Sequence, residues 1–217
     1  MKNILLLGDS IRMGYDSYVK EKLANRANVY FSEDNGRFAQ YTLRTLSDWK
    51  KQLSWPEIQL VHWNNGLWDC MHLNSCIAGC PPEKAGETFS PANVPGGLHF
   101  DEDPLTPPEI YRYMLVRVLT RIRQLFPGAE VVFATTTHVI EEMAQGAYRS
   151  NAEIESYNCV ARETLIPLGV RINELGYFAM QKCRHLHPEG DWVHYNAEGN
   201  SLLASEIVDF LEKENLI

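Results

Sequence analysis

The sequence predicts an α/β protein, a three-layer α/β/α sandwich built on a parallel five-stranded sheet of flavodoxin-like order 2-1-3-4-5. Two observations lead there. Short apolar runs alternate along the chain with longer stretches of helical periodicity, and strands joined through helices pair in parallel. At 217 residues the chain also suits a single domain with a sizeable core.

The elements follow in order. The run 3–8, with Ile4, Leu5, Leu6 and Leu7 consecutive, reads as the first strand. Gly8-Asp9-Ser10 closes it and opens a helix. A second strand is expected at 28–31, then a helix on which Tyr41, Thr42, Leu43, Leu46 and Trp49 recur at spacings of three to four. A third strand falls at 58–64. Ile110, Met114, Leu115, Val118, Leu119, Ile122 and Leu125 mark a long helix, with Pro107-Pro108 at its opening and Pro127-Gly128 at its end. A strand at 130–135, a helix through Ile154, Tyr157, Val160, Ala161 and Leu165, a strand at 169–172 and a final helix over 202–211 complete the pattern. The stretch 70–105 breaks the rhythm with Pro81-Pro82, Gly86, Pro91 and Pro95-Gly96-Gly97. It is read as an irregular insertion, either a lid over the crevice beyond the strand ends or a segment without catalytic role.

The formal net charge of -8, with no run of consecutive basic residues, disfavours a phosphate backbone as partner. No segment approaches the roughly 20 apolar residues that span a bilayer. The apolar run before Gly8 is shorter than the roughly 7–15 residues of a signal peptide's apolar region. The expectation is a cytoplasmic protein with neither nucleic-acid nor membrane partner; its oligomeric state is not legible. Five cysteines cannot all pair within one chain. Cys70, Cys76 and Cys80 lie near His72, yet Cys70-Met71-His72 gives no second ligand pair at zinc spacing, so no metal is expected.

Chemistry concentrates at the two ends. Ser10 terminates the first predicted strand, where open α/β sheets gather their ligands. Asp191-Trp192-Val193-His194 places an acid and an imidazole three residues apart, just before the last helix. A serine hydroxyl needs a base to become a nucleophile, and that base needs an acid to orient it. Either element alone has an ordinary alternative: Gly-Asp-Ser as a turn and helix cap, Asp-x-x-His as a surface pair.

Taken together, these blocks resemble those of the SGNH (GDSL-type) hydrolases. Leu7-Gly8-Asp9-Ser10 resembles the first, with Ser10 in the nucleophile's position. Asn35-Gly36-Arg37 resembles the second, whose glycine amide lines an oxyanion hole, and Asp191 with His194 the last. The third block departs from the family's Gly-x-Asn-Asp: the chain reads Asn64-Asn65-Gly66-Leu67-Trp68-Asp69, with Trp68 where asparagine is usual. Asn64 is then the expected side-chain donor; strand alternation lets only one of Asn64 and Asn65 serve.

The resemblance implies a carboxylic ester hydrolase working through an acyl-enzyme, with Ser10, His194 and Asp191 as triad and the Ser10 amide, Gly36 and Asn64 as oxyanion hole. No cofactor is implied. A small-molecule ester with a short acyl group, such as an acetylated carbohydrate, is the preferred substrate, with Trp68 and Trp192 as flanking walls. A thioesterase or lysophospholipase on the same triad, transfer to an alcohol, and a non-catalytic carbohydrate-binding domain are the alternatives. Of the other side chains, His62 is expected in the core, His138, His185 and His187 near the pocket, and Arg12 and Arg37 solvated beside Glu33 or Asp34.

Overall fold

The computed structural model describes residues 1–73, 100–143 and 147–217. Cys76, Cys80, His99 and the middle of the predicted insertion, with the lid reading placed on it, lie outside the described residues.

Five strands form the sheet: β1 (Lys2–Leu7), β2 (Ala27–Phe31), β3 (Leu60–Trp63), β5 (Glu130–Ala134) and β7 (Arg171–Asn173). They pair in parallel in the order β2-β1-β3-β5-β7, the expected 2-1-3-4-5 counted over the five sheet strands. The central strands carry apolar side chains on both faces because helices cover both: Ile4, Leu5, Leu6 and Leu7 are all buried, as are Leu60, Val61 and Trp63. The helices α1 (Ser10–Lys22), α5 (Leu175–Lys182) and α6 (Ala197–Lys213) form one packed group; α2 (Ala39–Leu53), α3 (Pro108–Leu125) and α4 (Asn151–Leu165) form the other.

Caps and stripes explain where the helices start and what they bury. Asp9 caps α1 by accepting from the Ile11 amide at 3.0 Å, and Ile11, Tyr15 and Val19 then recur every four residues on its buried side. On α2 the buried positions are Ala39, Thr42, Leu46 and Trp49. Pro107 and Pro108 do open α3, and Ser150 caps α4 through the Glu153 amide, as Asn196 caps α6 through the Gly199 amide. Helix α5 was not anticipated, since its buried residues Leu175, Gly176 and Ala179 include two small ones that leave little apolar signal.

The ends of the 70–105 stretch are more ordered than its composition predicts. β4 (His72–Leu73) pairs antiparallel with β6 (Ala147–Tyr148). The returning chain is tied alongside by amides of Asp101, Leu105 and Thr106 donating to the carbonyls of Leu73, Met71 and Asp69. His72 is pinned between the Asp101 carbonyl and Glu153, each at 2.8 Å. Two-residue strands are too short to carry periodicity, which is why neither was foreseen.

Asp69 is fully buried, and both its carboxylate oxygens accept from the Ala39 amide at the start of α2. Burial pushes its carboxyl up to about 7, against the opposing pull of the Ala39 amide and the Thr106 hydroxyl. The folded state therefore holds this proton more tightly than the unfolded chain, so the Asp69 contribution to stability is full at low pH and falls as pH rises from about 4 to about 7. Asp69→Asn keeps the acceptor and removes the titration. Denaturant unfolding of the variant should lose roughly 2–4 kcal/mol of the wild-type decline across that window.

Candidate active site

All the chemistry sits at the carboxyl ends of the strands. The register sets Leu7 opposite Trp63, so Gly8 and Asn64 leave the sheet side by side. Gly8 takes φ +153, and a β-carbon there would fall 1.6 Å from Asn64 Oδ1, so only glycine fits. The chain then turns through Asp9 and places Ser10 on the first turn of α1.

His194 meets Ser10 across 184 positions of sequence: the Ser10 hydroxyl donates to His194 Nε2 at 2.9 Å. The other ring nitrogen, Nδ1–H, donates to Asp191 Oδ2 at 2.7 Å. Asp191 Oδ1 accepts the Val193 and His194 amides at 2.8 and 2.9 Å, which fixes the loop in a tight turn. Burial alone would raise the Asp191 carboxyl, but those two amides and the His194 ring outweigh it and hold the acid below the usual carboxylate range. The Ile140 amide, donating to the Trp192 carbonyl at 2.8 Å, ties this loop to the segment after β5. Both His194 and Asp191 keep about a third or more of their side chains open to solvent.

Around the serine, Asn64 and Asn65 separate as the strand alternation requires. Asn65 is consumed by structure: it donates to the Arg37 carbonyl and the Thr42 hydroxyl and accepts from the Trp63 indole. Asn64 lies against Gly8, gives one amide hydrogen to Asp9 Oδ1 at 3.0 Å, and keeps the second. Gly36 packs on the same strand end, its amide donating to the Gly8 carbonyl at 2.8 Å. A β-carbon at position 36 would stand 2.4 Å from that carbonyl oxygen, so the close approach again demands glycine. Asp9 is fully buried, and burial raises its carboxyl.

Other expectations change in detail. Arg12 is not solvated: it is buried, paired with Asp16 at 2.8 Å, and donates to the carbonyls of Ser32 and Asp34. The partner one helical turn on and two backbone oxygens outcompete the acidic side chains of the neighbouring loop. Arg37 is exposed as expected, but it lies over the Tyr41 ring rather than in an ion pair with Glu33 or Asp34. His62 is buried in the core, where desolvation lowers it to about 4 and keeps it neutral. His138 and His185 line a cavity of about 430 Å³ with Val139, Ile140 and Met180, and His187 stacks against Tyr195. Trp68 is half-buried, whereas Trp192 is 8% exposed and the guanidinium of Arg149 lies 5.5 Å from its ring centre. Arg149 stands alone between the two-residue strand β6 and the Ser150 cap of α4, a place that carries no sequence pattern. Among the described residues no cluster of three histidine, cysteine or acidic side chains could hold a metal ion. No helix among them is long and apolar enough to cross a membrane.

No family model matches the chain, and no curated protein sequence is significantly similar to it. Solved structures do match over its whole length. A lipase/acylhydrolase from Enterococcus faecalis superposes with a TM-score of 0.68 at 16% identity, covering 99% of this chain and 97% of that one. The acetyl xylan esterase AlAXEase gives 0.63 at 16% identity, over 96% and 99%. A psychrotrophic esterase from Pseudoalteromonas sp., in a structure inhibited by monoethylphosphonate, gives 0.64 at 12%, over 100% of both chains. The chain therefore has the fold of the SGNH hydrolases, the α/β sandwich shared by these lipases and esterases.

Proposed function

We propose that the protein is a carboxylic ester hydrolase that acts through an acyl-enzyme, as a single domain. The observation that carries this reading is the unbroken chain of hydrogen bonds from Ser10 through His194 to Asp191. Ser10 Oγ attacks the ester carbonyl as His194 takes its proton. His194 then gives that proton to the departing alcohol, and afterwards activates the water that releases the acid. Asp191 holds the ring with Nδ1 protonated and stabilises the imidazolium.

The tetrahedral oxyanion has two donors close to the serine. One is the Ser10 amide, on the first turn of α1, where a helix leaves its amides without intrahelical acceptors. The other is the second amide hydrogen of Asn64. Gly36, expected as a further donor, instead gives its amide to the Gly8 carbonyl at 2.8 Å and so shapes the end of β1 beside the serine.

A short acyl group, acetyl on a carbohydrate, is the substrate we favour. The half-buried Trp68, five residues beyond the end of β3, offers a surface for a sugar ring, and one of the matching folds belongs to an acetyl xylan esterase. Rapid mixing with 4-nitrophenyl acetate should give a burst of nitrophenol equal to the enzyme concentration, and acetylated xylo-oligosaccharides should release acetate. A folded protein that binds acetylated sugar and turns over neither ester would instead be a binding domain.

A further inference from the structure

We propose that Arg149 selects the substrate, binding a carboxylate carried by the ester. This rests on the hydrolase reading above and adds the class of substrate to it. Arg149 is held on both sides, by the β4–β6 ribbon before it and the Ser150 cap of α4 after it. The residue as a whole is 6% exposed. Nε donates to the Leu67 carbonyl and Nη2 reaches only the Met71 sulfur, a weak acceptor, at 3.1 Å. Nη1 has no hydrogen-bond partner among the described residues and is not one of the sealed, unpaired polar atoms, so it is the open edge of the fork.

Among the described residues no carboxylate lies within ion-pair distance of Arg149. Arg12, equally buried, has Asp16 at 2.8 Å. The acidic groups whose charge Arg149 feels are Cys70 and Asp9, and burial drives both toward their neutral forms. A buried cation without an anion is costly, and a bound anion removes that cost. The position is right for a substrate: Trp192, on which the guanidinium rests, stands two residues before His194, and Asp9 directly precedes Ser10. A planar carboxylate suits the fork of an arginine. A sugar hydroxyl would leave the charge unanswered.

The carboxylate can sit on the acyl or the alcohol side of the ester, and two matched pairs separate these. Mono(4-nitrophenyl) succinate is compared with 4-nitrophenyl butanoate, and 4-acetoxybenzoate with 4-acetoxybenzamide. The wild type should prefer the anion in one pair, and Arg149→Met should lower that anionic-to-neutral kcat/KM ratio by about 10- to 100-fold. Arg149→Lys, which keeps charge without the fork, should fall between. No anionic preference in either pair, or a ratio that Arg149→Met leaves unchanged, overturns the proposal. Calorimetry on Ser10→Ala with 4-hydroxybenzoate and 4-hydroxybenzamide reads the anion site without any hydrolysis. The acyl side is read the same way with monomethyl succinate and methyl butanoate. Equal binding within both pairs overturns Arg149's role, whereas absence of turnover in the wild type with anion binding intact overturns the hydrolase reading alone.

Discussion

Ser10→Ala is expected to lower kcat on short-chain nitrophenyl esters by on the order of 10⁴- to 10⁶-fold while leaving the fold intact. The size of the loss follows from the role. Without Oγ there is no acyl-enzyme, and His194 and Asp191 have no proton to manage. What survives is binding and whatever stabilisation the Ser10 and Asn64 amides give to direct attack by water. The side chain is only partly buried and its single hydrogen bond is to His194, so its removal strands no sealed polar group. The thermal midpoint of the variant should stay within a few degrees of the wild type. His194→Ala combined with Ser10→Ala should cost little more than either alone, because the two act as one unit. Steady-state kinetics on the three variants, with calorimetric melting as control, make the check.

Gly8→Ala is expected to damage both stability and activity. Alanine at φ +153 is strained, and its β-carbon would occupy the place of Asn64 Oδ1. Relief requires Asn64 to swing away, which breaks its bond to Asp9, or the end of β1 to shift, which loosens the Gly36 amide held by the Gly8 carbonyl. Either route costs about 3 kcal/mol or more. Urea unfolding should show that loss, and kcat should drop with it because Ser10 is two residues away. Gly128→Ala serves as the comparison: its φ is also positive, but no atom lies within 4 Å of the added carbon. It should cost about 1–2 kcal/mol from backbone strain alone and leave kcat untouched.

Much of the architecture was legible because the central strands are buried on both faces and read as plain apolar runs. Ile4 to Leu7 and 130–135 are instances, and Pro107-Pro108 and Pro127-Gly128 punctuate the helix between β3 and β5. The meeting of Ser10 with the Asp191–His194 loop was legible only as a pairing of motifs, since no local pattern encodes contact over 184 positions. Short elements escaped: β4 and β6 have two residues each, and the buried side of α5 is partly glycine and alanine. Arg12 was misjudged because a charge is read as solvated by default, whereas three acceptors, two of them backbone carbonyls, wait for it inside. Arg149 stands alone between a two-residue strand and a helix cap, so no sequence pattern marks it, and its acceptors are a carbonyl and a sulfur. The choice between Asn64 and Asn65 was open from alternation alone, and the partners of Asn65 decide which of them stays free.

The most direct test of the central claim is reaction with a serine-directed fluorophosphonate, followed by mass-spectrometric location of the adduct. A hydroxyl activated by His194 should take one equivalent of the reagent, on the peptide containing Ser10, and the reaction should vanish in Ser10→Ala and His194→Ala. An adduct on another residue, or a folded wild-type protein that takes up none, would contradict the account.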